Sequence, residues 1–141
     1  MRNGFVHDRA LLEPVEQCFA ALGATSFREF PIRLGGRIGY ADLWVSHGSK
    51  RYLIEAENKN RRVDRDLAKA RAAEADLLAI IAPSWKVARQ IRRRLQQLKV
   101  GMPPDAMEVR VFTIGAAIRW VNTLPPSVEG TPRRKFDPCA S

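Results

Sequence analysis

The stretch GYADLWVSHGSKRYLIEAENK, from Gly39 to Lys59, decides the predicted fold. Two runs typical of β-strands flank the pair Gly48-Ser49. A two-residue turn is the usual connection in so short a hairpin, and the turn fixes the register of the strands. With this turn, Asp42 lies directly opposite Glu55.

Acidic side chains therefore gather on one face of the predicted hairpin. Side chains alternate between the two faces of a strand, so Asp42, Glu55, Glu57 and Lys59 share one face. The opposite face is predicted to be core, since it carries apolar side chains: Ala41, Leu43, Val45, Tyr52, Ile54 and Ala56.

Opposed carboxylates on neighbouring strands have Cβ atoms roughly 5 Å apart and repel each other unless a proton or a cation lies between them. A hard divalent cation with oxygen ligands stabilises such a cluster, so the hairpin predicts a metal site. The alternative is a solvated hairpin face on which Glu55 and Glu57 pair with neighbouring cationic side chains.

Periodicity along the chain predicts an α/β domain with the element order α-β-β-β-α-β-α-β and a mixed sheet flanked by helices. The domain spans residues 1–123, and a flexible, proline-rich basic tail spans 124–141 with Arg133, Arg134 and Lys135. The predicted helices are Asp8 to about Leu22, 62–75 and 83–99, with a short last helix over 116–122 as a further option. The predicted strands are 26–34, 40–47, 50–59, 77–82 and 107–114.

The composition favours an anionic partner. The chain has 141 residues, 24 Lys plus Arg against 15 Asp plus Glu, and a formal net charge of +9. A basic protein of this size most often binds nucleic acid, with an anionic membrane surface as the lesser option. The alternative is that a GC-rich genome enriches arginine without any bearing on partners.

Other functional classes are disfavoured. Two cysteines exclude a disulfide framework. The longest apolar run, 77–83, is too short to cross a bilayer, and no signal-peptide pattern opens the sequence. We expect a cytoplasmic protein without a membrane partner.

The order of elements, with an Asp on the second strand and an acidic motif on the third, resembles the PD-(D/E)xK nuclease superfamily, which has the restriction-endonuclease-like fold. The resemblance covers about residues 8–114. Asp42 matches the first acid and Glu55 the second, with Ala56 between the second acid and the lysine position. Glu57 occupies that lysine position, as Glu does in some restriction enzymes of this fold.

A second frame, Glu57-Asn58-Lys59, restores a literal acid-x-Lys motif two residues further on. The first frame is preferred because the register places Glu55 opposite Asp42.

The resemblance implies metal-dependent hydrolysis of phosphodiester bonds. Asp42 and Glu55 would hold Mg²⁺ or Mn²⁺, with the main-chain carbonyl of Ala56 as a further ligand. Glu57 would be a ligand or the group that deprotonates the attacking water. Lys59 remains a catalytic candidate one step out on the same face.

Members of this fold often add a glutamate from the first helix. Glu16 is the candidate, since it lies at the edge of that helix's apolar stripe; the alternative is an ordinary surface residue flanking the stripe.

Cationic residues near the motif are predicted to bind nucleic acid. Arg61, Arg62 and Arg65 follow the third strand, and Lys69 in the next helix would supply the positive charge that the motif lacks. Arg89 and Arg93 lie away from the apolar stripe of the helix over 83–99, as a phosphate-binding face or a solvated one.

The leading hypothesis is a small nuclease that acts on DNA, or less readily on RNA. A chain this short would act on a DNA structure, as a homodimer, or in a larger complex, as a structure-specific nuclease or one of a phage or mobile element. The alternatives are a nucleic-acid-binding or assembly module that kept the fold and lost hydrolysis, and an unrelated α/β domain with surface carboxylates.

Overall fold

The structure is a computed structural model that describes residues 4–59, 62–98 and 107–126. Nine helices and strands follow one another in these ranges. Helices are α1 (Gly4–Ala21), α2 (Val63–Ala72), α3 (Trp85–Gln97) and α4 (Ile114–Asn122); strands are β1 (Thr25–Leu34), β2 (Arg37–His47), β3 (Lys50–Ala56), β4 (Leu77–Ala82) and β5 (Glu108–Thr113).

The five strands form one mixed sheet in the order β1-β2-β3-β4-β5. β1, β2 and β3 pair antiparallel, whereas β3, β4 and β5 pair parallel through the crossover helices α2 and α3. The predicted mixed α/β architecture is confirmed. The predicted order ended on a strand, with a short last helix over 116–122 as a further option. The structure has this helix, α4, which begins at Ile114 and buries Ala117, Trp120 and Val121 against the sheet.

Several predicted boundaries were wrong, among them those of α1, α3 and β3. Helix α1 begins at Gly4, so Asp8 lies inside it and does not cap it. Helix α3 begins at Trp85 and not at Pro83, because the Ser84 hydroxyl accepts a hydrogen bond from the Val87 amide and caps the helix there. Strand β3 ends at Ala56, three residues before the predicted end.

The predicted hairpin register is confirmed. Trp44 pairs with Leu53 and His47 with Lys50, around a turn in which Gly48 has a φ of 61°. The paired residues of β2 and β3 extend only to Leu43, so the two strands separate just before Asp42.

Both faces of the sheet are buried. One layer packs under α1 and α4 and contains five of the predicted core residues, Leu43, Val45, Tyr52, Ile54 and Ala56. The second layer packs under α2 and α3 and includes Trp44, Leu53, Leu78 and Ile80.

The expectation for Ala41 was wrong, since this residue belongs to the second layer. The reason is an interruption between β1 and β2. Glu29 and Asp42 are not partners, although the residues on either side of them are, and Glu29 adopts a φ of 52°. The interruption changes which face the following residues occupy and leaves Asp42 outside the paired registers of both neighbouring strands.

Among the helices of the described ranges, none combines the length and the hydropathy that a membrane crossing requires.

Candidate metal centre

A polar cavity of about 330 Å³ opens at the carboxyl end of β3. Ionisable residues from β1, β2, β3 and the start of α2 line it. The acids are Glu29, Asp42, Glu55, Glu57 and Asp66, and the cations are Arg37, Arg62, Arg65 and Lys69. The arginines are exposed whereas Glu55 and Asp66 are buried, so the cavity is acidic in its interior and basic at its rim.

Three buried carboxylates meet inside this cavity. One oxygen from each of Glu55, Glu57 and Asp66 lies within 4.8 Å of the other two. Their exposed fractions are 1%, 7% and 1%. Strand β3 supplies the glutamates at its carboxyl end, and α2 turns Asp66 toward the sheet together with Val63 and Ala70.

The environment opposes ionisation of these groups. Burial raises the pKa of Glu55 well above its ordinary range; Asp42 raises it further, and Lys69 acts in the opposite direction. Burial also raises the pKa of Asp66 well above its ordinary range, and Glu55 and Glu57 add to that effect. The pKa of Glu57 is raised by burial, with a hydrogen bond to Asp66 opposing the shift.

The hydrogen bonding of Asp66 indicates whether the cluster suits a cation. Neither of its carboxylate oxygens has a hydrogen-bond donor within the described structure, although both are buried. If one of the two acids is protonated, Glu57 and Asp66 can share a hydrogen bond. If both are ionised, the oxygens of Asp66 have no hydrogen-bond donor. Buried polar atoms are rarely left in that condition. A divalent cation with oxygen ligands would satisfy the oxygens of all three acids at once, so the residues fit such an ion.

Lys69 supplies positive charge at the wall of the cluster. Its Nζ lies 3.2 Å from Glu55 Oε2 and donates a 2.8 Å hydrogen bond to the carbonyl oxygen of Tyr40. The side chain thereby connects α2 to both β2 and β3. Part of the negative charge of the cluster is balanced by this contact.

Asp42 is held at the point where β2 and β3 separate. Its Oδ2 accepts a 2.9 Å hydrogen bond from the amide of Ala56, a bond that a strand carbonyl would otherwise accept. The predicted association of Asp42 with Glu55 is present, since both line the cavity. Ala56 also lines it, but the polar contact that the structure shows there is made by its amide and not by the predicted carbonyl ligand.

Two predicted catalytic residues lie elsewhere. Glu16 accepts a 2.7 Å hydrogen bond from Arg28 Nε and belongs to α1, the helix that packs on the other layer of the sheet. Lys59 is exposed beyond the end of β3 and does not line the cavity. The structure therefore places neither residue at the carboxylate cluster.

The predicted nucleic-acid-binding residues divide into two groups. Arg62, Arg65 and Lys69 line the cavity. Arg89 and Arg93 are exposed on α3 and do not line it, and Arg61 lies outside the described residues.

Sequence reasoning missed Asp66. The available signal was an acid beside the apolar positions Val63, Leu67 and Ala70 of α2, because a carboxylate on the buried side of a helix requires a partner. Lys69 flanks the same side one turn later, and its burial was not expected from the apolar stripe either.

Comparison with known proteins gives no match: no family model matches the chain, and neither does any curated protein or solved structure.

Proposed function

We propose that this protein is a metal-dependent nuclease that hydrolyses phosphodiester bonds of DNA. The observation that carries the proposal is the convergence of Asp42, Glu55, Glu57 and Asp66 on one cavity with a basic rim. A divalent cation stabilises ionised carboxylates that lack enough hydrogen-bond donors, and a basic rim suits an anionic polymer. The PD-(D/E)xK resemblance of the sequence leads to the same class of reaction.

The metal ligands would be Glu55, Glu57 and Asp66, with Asp42 beside them at the mouth of the cavity. This set extends the pair Asp42 and Glu55 that the motif implies. A bound Mg²⁺ or Mn²⁺ would supply Lewis-acid stabilisation of the phosphate and a more acidic water.

The chain itself would orient the reactants. Glu57 lines the cavity at the end of β3. The oxygen of its carboxylate that does not bind the ion would hold the attacking water and accept its proton. Lys69 would contribute the positive charge that the motif lysine supplies in the resembled family, with its Nζ held by Tyr40 and Glu55.

The rim would position the polymer. Arg37, Arg62 and Arg65 line the cavity from two separate places, the start of β2 and the start of α2. Arginine binds phosphate oxygens through paired donors, so these side chains suit the phosphates that flank the scissile one. Binding through such contacts weakens as the salt concentration rises.

Cleavage assays with supercoiled, linear, single-stranded and branched DNA test the proposal directly. Cutting is expected with Mg²⁺ or Mn²⁺ and is expected to stop in EDTA. Glu55→Gln and Asp66→Asn should each reduce the rate on the order of 10²–10⁴-fold. Glu16→Gln is the matched control, since this variant also neutralises one acid but leaves the cavity unchanged.

The outcomes separate the proposal from its alternative. Metal-dependent cutting that is lost in Glu55→Gln and kept in Glu16→Gln supports a nuclease. DNA binding without cutting under any of these conditions overturns the proposal in favour of an inactive binding or assembly module.

A further inference from the structure

A surface on α3, away from the cavity, combines an exposed aromatic ring with arginines. Trp85 is 59% exposed, an unusual position for the largest apolar side chain. Arg89, Arg92 and Arg93 follow it at helical spacings of four, seven and eight residues, so they lie on the same side of the helix. The buried side carries Ala88, Ile91 and Leu95.

The ring of Trp85 is held in place. The guanidinium of Arg92 lies 5.3 Å from the ring centroid, and its Nη2 donates a 2.8 Å hydrogen bond to the carbonyl oxygen of Val111 on β5. One arginine thus fixes the indole relative to the sheet. A ring that is fixed and still exposed is prepared for contact with another flat group, since little rotational freedom is lost on binding.

The surface has an uncompensated positive charge. Helix α3 contains no acidic residue, and neither Arg89 nor Arg93 forms an ion pair with any residue of the described ranges. Arg94 on the flank does pair with Asp64. Arg89 and Arg93, which have no ion pair in the described ranges, share a side of α3 with Trp85.

The position of Trp85 relates this surface to the cavity. Helix α3 follows β4, and β4 runs parallel to β3. The start of α3 therefore lies at the carboxyl end of β4, next to the carboxyl end of β3 where Glu55 and Glu57 lie. This is the same end of the parallel strands as the cavity, although no α3 residue lines the cavity.

We propose that Trp85, Arg89, Arg92 and Arg93 form a binding surface for unpaired DNA, with a base stacked on Trp85 and phosphates on the arginines. Stacking requires a base face, which duplex DNA does not offer along its length, whereas arginines alone would bind duplex and single strands alike. The choice of DNA as the ligand rests on the proposed function. The substrate would then be single-stranded or locally unpaired next to the scissile phosphate.

Tryptophan fluorescence of the full chain in EDTA tests this surface without any cleavage. The chain has three tryptophans, and the other two, Trp44 and Trp120, are only 8% and 9% exposed. Titration with a single-stranded oligonucleotide should quench the exposed component of the emission, and the same sequence as a blunt duplex should not. The quenching should disappear in Trp85→Phe/Arg92→Gln, which loses both the indole and its support.

Affinity measured by fluorescence anisotropy of labelled DNA gives a second readout. Trp85→Ala should weaken single-strand binding roughly 5- to 150-fold, the range that base stacking provides. Arg89→Gln should weaken the binding of single strands and duplexes alike. Lys50→Gln is the control, because it removes one exposed charge at the opposite edge of the sheet.

Equal affinity for duplex and single strand without quenching, or unchanged affinity in Trp85→Ala, would overturn the inference. Dimerisation that itself shields Trp85 in the absence of DNA would overturn it in favour of a protein contact. If the protein cuts DNA but Trp85 has no effect, only this surface fails. If Trp85 quenching occurs and no cutting is found, only the nuclease proposal fails.

Discussion

Lys69 and Glu55 form an ion pair inside the protein, with Nζ 3.2 Å from Oε2 and side chains that are 9% and 1% exposed. The pair joins α2 to β3 at the wall of the carboxylate cluster. Because Glu57 and Asp66 lie beside it, this one lysine does not balance the negative charge of the ionised acids.

Removal of Lys69 should destabilise the metal-free protein in a pH-dependent way. Lys69→Met leaves Glu55 buried without its cation, and the loss of one partner of a buried pair costs about 3–5 kcal/mol of unfolding free energy. The loss should be smaller at pH 5 than at pH 8, because Glu55 can then be protonated. Urea unfolding in EDTA at the two pH values measures the effect. An equal loss at both values would show that packing of the lysine stem, and not its charge, is responsible.

Replacement of Asp66 should stabilise the metal-free protein at neutral pH. The folded pKa of Asp66 is raised well above its ordinary value of 3.8, so the unfolded chain loses this proton first as the pH rises. The stability associated with this group is therefore complete below pH 3.8 and declines as the pH rises through the folded pKa.

Asp66→Asn removes the titrating group and with it the decline of stability at higher pH. In EDTA at pH 8, its free energy of unfolding should exceed that of the parent protein, and the difference should shrink toward pH 4. Denaturation of the two proteins across this range measures the difference. A parent protein that is more stable than Asp66→Asn at pH 8 in EDTA would contradict the electrostatic account of the cluster.

Two variants of Asp42 should distinguish the role of its charge from the role of its hydrogen bond with the Ala56 amide. Asp42→Asn keeps a side-chain oxygen that can accept the hydrogen bond from the Ala56 amide, whereas Asp42→Ala does not. We expect near-normal thermal stability in Asp42→Asn together with a loss of cleavage on the order of 10²-fold or more. Single-turnover rates and thermal unfolding of the two variants distinguish the roles. Full activity in Asp42→Asn would assign Asp42 to structure alone.

The two possible motif frames make opposite predictions. In the preferred frame Glu57→Gln should reduce cleavage on the order of 10²–10⁴-fold, since Glu57 lies in the cluster. Lys59→Ala should leave the single-turnover rate within about twofold, because the side chain is exposed and away from the cavity. If Lys59→Ala is as damaging as Glu57→Gln, the second frame applies.

Much of the hairpin was predictable from the sequence because its turn leaves little choice. Gly48-Ser49 fixes the register, and the register places Asp42 and Glu55 at the same position along the sheet. The mixed sheet was also expected, since the apolar run 77–82 follows a helical segment; the structure pairs β3 parallel with β4.

The positions of Ala41, Asp66 and Glu16 were not predictable, because they depend on contacts between elements that are distant in sequence. The interruption at Glu29 and Asp42 involves two strands at once, so alternation along β2 alone placed Ala41 on the wrong face. Asp66 reaches the cluster only because α2 packs over β1, β2 and β4, which tertiary structure decides. Glu16, judged from one helical wheel, is instead held by Arg28.

Isothermal titration of the metal-free protein with Mn²⁺ at pH 7.5 tests the central claim most directly, because it detects the ion at the carboxylate cluster without requiring a substrate. Saturable binding is expected in the parent protein and in Glu16→Gln, and it should be lost in Asp66→Asn and in Glu55→Gln. Absence of binding in the parent protein, or binding that Asp66→Asn and Glu55→Gln leave unchanged, would contradict the assignment of Glu55, Glu57 and Asp66 as a metal centre.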